Sequence, residues 1–233
     1  IATVGVLLVS VFSTNVRAED YQTNHNPLRS LVFSSEMPDS MRDPAGRYMG
    51  ATETMEFVTH KGMLFASQGV WMDLPYKEDK GEDPWRGPAI LVKRSAAAAW
   101  IVEKSFPNSV RVSSLVSVTF TTDDTGEKLD EPRNLLIAGV RERAGNVVWV
   151  RNDEAGMWQR TVVSEAKGSG GFRSLYVHTD SATGVCHIFG GSKAGLFRGS
   201  YDEEAEGLIR WDSEVELQGM GRVMCMEQCN GSL

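Results

Sequence analysis

One internal repeat constrains this chain more than any other feature. Placed 58 residues apart, GPAILVKRSAAAAW at Gly87 to Trp100 and GNVVWVRNDEAGMW at Gly145 to Trp158 align without a gap. Glycine, an apolar triplet, a basic residue and tryptophan all coincide. A looser third copy runs from Ala194-Gly195-Leu196-Phe197-Arg198 to Trp211, its span from glycine to tryptophan three residues longer. Self-similarity at a fixed period points to a unit stacked on copies of itself rather than to one irregular core.

Each copy predicts a strand, a turn and a final strand at its tryptophan, and each is preceded by a hairpin. The hairpin strands are Met55 to Thr59 and Met63 to Ser67, then Ser114 to Thr121 and Asn134 to Gly139, then Phe172 to His178 and Val185 to Gly190. The second pair flanks a longer loop holding TDDTG at Thr122 to Gly126, and the third flanks TDSATG at Thr179 to Gly184. Asp side chains capping tight turns, with glycine at positive φ, explain both sequences. A fourth unit opens at Arg222.

Four short strands recurring roughly every 55 residues, with almost no helical periodicity, predict an all-β chain. The expected architecture is a β-propeller of four-stranded antiparallel blades at 54–105, 110–164 and 172–218, with a partial blade at 222–233. Since such rings hold about 4 to 8 blades, the expectation is a fragment with sequence missing at both ends. A β-sandwich or a β-solenoid is the structural alternative.

The third unit, HIFGGSKAGLFRGSYD followed by IRW, resembles a Kelch repeat, with its diglycine Gly190-Gly191, then Tyr201, then Trp211. The first two units have Ser67-Gln68-Gly69 and Ala138-Gly139-Val140 instead of the diglycine. From about Thr54 onward the chain is similar to uncharacterised exported bacterial propeller proteins, a resemblance that implies a fold and no reaction.

Ile1 to Phe12 is an apolar run too short to span a bilayer, and Val16-Arg17-Ala18 follows it. Small residues at Val16 and Ala18 fit cleavage after Ala18, so residues 1–18 read as a truncated signal peptide; a core strand or a short anchor is the other reading. The mature chain is expected to be secreted or periplasmic, with no stable membrane span. A polar lead-in occupies 19–53, in which Leu28 to Ser34 is a candidate lone strand. The net charge of −7, without a Lys/Arg run, excludes a protein that tracks nucleic-acid backbones. Cys186, Cys225 and Cys229 are an odd set without metal-ligand spacing, so no metal and no cofactor are expected, and Cys225 and Cys229 cannot bond within one straight strand.

Ligand contacts on a rigid scaffold concentrate where the repeat breaks. The long break is Val70 to Gly87, between the second and third strands of the first unit. Its Trp71, Tyr76 and Trp85 offer faces for sugar rings, and Asp73 and Asp83 are among its five acids. Tyr176 and His178, on the innermost strand of the third unit, are expected beside the channel. The loop can equally be a solvated insertion packed on the blade rim, and calcium at Asp123, Asp124 and Asp130 matches no known loop spacing. No nucleophile elbow, phosphate loop or dinucleotide fingerprint is present. The expectation is a non-catalytic module for a carbohydrate or protein partner, with an extracellular propeller hydrolase or lyase acting on glycans as the alternative.

Overall fold

The computed structural model describes residues 42–49, 53–69, 88–107, 109–142, 145–153, 156–165, 171–218 and 221–229. The chain separates into two units, Ile1–Asp39 and Ser40–Leu233, and every described residue belongs to the second. Residues 1–18, expected as a signal peptide, and the candidate strand Leu28 to Ser34 therefore lie outside the described residues.

The second unit is all-β. Its first meander is β1 (Glu53–His60), β2 (Met63–Gly69), β3 (Ala89–Lys93) and β4 (Ile101–Ser105), each antiparallel to the next. The second is β5 (Arg111–Thr122), β6 (Lys128–Glu142), β7 (Gly145–Asn152) and β8 (Met157–Ser164). The third is β9 (Ser174–Thr179), β10 (Cys186–Ser192), β11 (Gly195–Tyr201) and β12 (Ile209–Trp211). The pair Gly69–Arg111 joins β2 to β5, so the first two meanders form one strongly curled eight-stranded sheet. The third is a separate four-stranded sheet.

Alternation along the middle meander shows how the units stack. Leu136, Ala138 and Val140 pack with Phe65, Ile90 and Val92 of the first meander. Leu135 and Ile137, which point to the other face of β6, pack with Ile188 and Phe197 of the third. A sheet covered on both faces needs a continuous apolar run, and LLIAGV supplies it. Face-to-face stacking of four-stranded meanders is the propeller-like arrangement that the repeat predicts.

The tryptophans serve this stacking. Trp100 is buried beside Phe57, Trp158 packs on the core between the first two meanders, and Trp211 stacks on Phe172 with ring centres 5.6 Å apart. Phe172 fills the space over Gly190, where a Cβ would stand 2.5 Å from its ring. The first glycine of the diglycine is thus required by a neighbouring aromatic ring.

The second hairpin departs from expectation. Residues 128–133, KLDEPR, belong to β6, so a five-residue connection, 123–127, replaces the longer loop. These residues project beyond the core and are mostly exposed, which gives a strand without apolar alternation; Pro132 falls where the register shifts between Phe120 and Thr122. The turn itself is as expected. Asp123 Oδ1 accepts hydrogen bonds from the backbone N–H groups of Thr125 and Glu127, and Asp180 Oδ1 does the same for Ala182 and Thr183. Gly126 and Gly184 close the two turns at φ of 87° and 75°.

Candidate functional site

Antiparallel meanders with parallel inner strands put two kinds of connection at each end of the stack. One end carries the starts of β1, β5 and β9, the β2–β3, β6–β7 and β10–β11 connections, and the links between meanders. Trp71, Asp73, Tyr76, Asp83 and Trp85 lie outside the described residues. Their loop leaves from Gly69, the residue paired with Arg111, at this end.

Tyr176 and His178 are half-buried on β9, their side chains on one face. The Tyr176 hydroxyl accepts the Gln228 N–H at 3.1 Å, and His178 Nδ1 lies 3.3 Å from Gln228 Oε1. Segment 221–229 runs beside β9, with Val223 N donating to Ser192 O and Ser174 Oγ donating to Val223 O. Both residues therefore hold this segment, toward the opposite end of β9 from Arg173. Cys186 is a buried free thiol, and Cys225 and Cys229 are exposed free thiols.

The loop-bearing end holds a group of arginines that sequence reasoning missed. Arg111 opens β5 opposite Arg141, Arg173 lies one residue before β9, whose Ser174 is opposite Gly191, and Arg222 lies in the segment beside β9. Glu53 opens β1 opposite Gly69. Arg111 stands directly opposite Arg141, an arrangement that like charges disfavour. A Cβ at Gly171 would lie 2.8 Å from Arg141 Cα, which brings the approach to Arg173 alongside Arg141. Val223, next to Arg222, packs on Gly191 beside Ser174.

Burial, together with repulsion from Arg222 and Arg141, lowers the pKa of Arg173 below the usual arginine range, and Glu53 opposes the shift. Arg141, Arg173 and Arg222 make no ion pair with a described residue. Glu53 Oε1 is buried without a hydrogen-bond partner among the described residues. The chain matches no protein-family model, no curated protein and no solved structure. Any account of function therefore rests on its own residues.

The opposite end holds a second polar group, between the first two meanders. His60 is 2% exposed; its Nε2 lies 2.9 Å from Asp153 Oδ2 and its Nδ1 lies 2.8 Å from Ser117 Oγ. An ionised carboxylate only accepts, so Nε2–H donates to Asp153, and the Ser117 hydroxyl that faces Nδ1 also lies 3.4 Å from Asn134 Oδ1. Lys61 Nζ is 2.8 Å from Asp153 Oδ2, and Arg151 bridges Asp153 to Glu103. Burial disfavours charge on Asp153, but Lys61, His60 and Arg151 outweigh it and hold its pKa below the usual carboxylate range. Between the two ends, Glu56 Oε2 accepts the Leu115 N–H, and burial pushes its pKa up to about 7.

Two acids of the β5–β6 turn are occupied by protein. Asp123 caps its own turn, and Asp124 pairs with Arg210 at 3.2 Å. Among the described residues no group of three or more His, Cys, Asp or Glu is placed to hold a metal ion, and no described helix is long and apolar enough to cross a membrane.

Proposed function

We propose that this is an exported recognition module, a ring of Kelch-like blades in the secreted or periplasmic space, which binds a carbohydrate or protein partner at its loop-bearing end. The observation that carries the reading is the Gly69–Arg111 pair. In sequence Gly69 leads into the aromatic loop of Trp71, Tyr76 and Trp85, with Asp73 and Asp83, and Arg111 beside it stands opposite Arg141. Aromatic faces for sugar rings and polar groups for their hydroxyls are the two needs of carbohydrate recognition.

A glycan array with the mature protein tests this reading. Replacing Trp71 and Trp85 by alanine is expected to abolish the binding that the wild type shows. Unchanged binding by the double variant would sink the assignment of the loop.

The alternative, an extracellular hydrolase or lyase acting on glycans, has one contact in its favour: the Ser117 hydroxyl on His60, with His60 on Asp153. Two observations weigh against it. Asp153 is already engaged by Lys61 and Arg151, and His60 is enclosed between meanders. Turnover of a bound glycan that is lost in Ser117→Ala would decide for the enzyme.

A further inference from the structure

Both outermost strands of the eight-stranded sheet, β4 and β8, are covered by chain from outside it. An outermost strand presents N–H and C=O groups that act as a template for another strand. At β8 the Thr161 hydroxyl donates to Glu206 O at 3.0 Å, and a Cβ at Gly207 would stand 2.5 Å from Thr161 Oγ1, so the Glu206–Leu208 turn lies against that strand. Asp202 shapes this turn, its Oδ1 accepting the Glu204 N–H and its Oδ2 pairing with Arg210.

At β4 an aspartate and an arginine do the same in another part of the chain. A bridge between Arg42 and Tyr48 closes a small hairpin. Within it Asp43 Oδ1 accepts the N–H groups of Ala45 and Arg47, and Oδ2 pairs with the Arg47 guanidinium. The same Oδ2 accepts the Val102 N–H of β4 at 3.1 Å. Pro44 to Arg47 are exposed, yet Asp43 is 4% exposed. Burying a carboxylate is costly unless it is paired and hydrogen-bonded, and here the guanidinium and the edge N–H meet that cost. Charged side chains protect many sheet edges, but those of β4 are used elsewhere: Glu103 pairs with Arg151, and Lys104 lies over the Trp149 ring at 4.6 Å, both in the joint with the second meander.

We infer that the 42–48 hairpin is an edge guard, which keeps β4 from pairing with β4 of a second copy of this chain. The β8 guard belongs to the third meander and is fixed by its stacking. The β4 guard is a local hairpin that meets the edge through Asp43. Two identical edges pair antiparallel about a two-fold axis, so a second copy is the occupant that fits an unguarded β4.

The test is sedimentation velocity with hydrogen exchange across a dilution series of the full chain, as wild type, Asp43→Ala and Asp43→Asn. The asparagine keeps an oxygen for the turn N–H groups but directs an amide N–H at Val102, so the hairpin survives while its hold on the edge is lost. The wild type is expected to stay monomeric, with the Val102 amide protected at every concentration. Both variants are expected to double in mass as concentration rises, with 101–105 protected only in the associated form. Variants that stay monomeric throughout, or that associate with protection of a different strand, would overturn the inference. A wild type that already pairs through β4 would overturn it as well. If Asp43→Ala does not fold, Asp43→Asn decides alone.

Discussion

His60 on β1 and Asp153 in the β7–β8 turn meet at 2.9 Å, so the innermost strand of one meander is tied to the outer hairpin of the next. Arg151 and Lys61 complete the contact from either side. The link is polar, while the faces it closes are apolar.

Asp153→Ala leaves Arg151, Lys61 and His60 without their shared acceptor. Removing one partner of a mostly buried ion pair costs about 3 kcal/mol. Urea denaturation should show a lower midpoint for this variant, and a loss below 1 kcal/mol would mean the network is solvated. In the wild type this contribution is present above pH 3.8, the value of the unfolded carboxylate, and falls away at lower pH because the folded pKa is depressed.

Glu56 behaves in the opposite sense. Its folded pKa of about 7 lies above the unfolded value of 4.5, so the folded state holds the proton more tightly. Stability is therefore expected to decline as pH rises from 4.5 to 7 and to stay reduced above that. Glu56→Gln keeps an acceptor for the Leu115 N–H and removes the titration. It should stabilise the protein at pH 8 by about 2 kcal/mol, allowing for partial exposure, and parallel pH–stability curves for the two proteins would refute this.

Leu136 and Ile137 are neighbours in sequence that serve different cores. Truncating either to alanine should cost about 2–5 kcal/mol. Hydrogen exchange distinguishes them: Leu136→Ala should release protection in β2 and β3, and Ile137→Ala in β10 and β11. The same pattern of release from both variants would contradict separate cores.

The repeat was legible because stacked sheets impose the same demands on every unit. Apolar triplets form covered strands, tryptophans fill the joints, and Asp–Gly turns close the hairpins. The strand at residues 128–133 escaped because it extends past the core, where no apolar alternation is required. The His60–Asp153 contact joins residues 93 positions apart, and only the stacking of two units brings them together. RVSSL at 111, RSLYV at 173 and RVMCM at 222 each begin with arginine, but the strand registers put Arg111 level with Ser174, so the likeness in sequence is not a shared place in the sheets. Trp71, Asp73, Tyr76, Asp83 and Trp85 rest on sequence alone, while Tyr176 and His178 are engaged with Gln228.

The central claim is that ligand meets the loop-bearing end of the stack. One glycan array decides it, run on the wild type, on Trp71→Ala/Trp85→Ala, and on Glu131→Gln, an exposed change on the hairpin at the other end. Loss of signal in the tryptophan variant with full signal in Glu131→Gln is the expected result. Equal signal from all three, or loss only in Glu131→Gln, would contradict it.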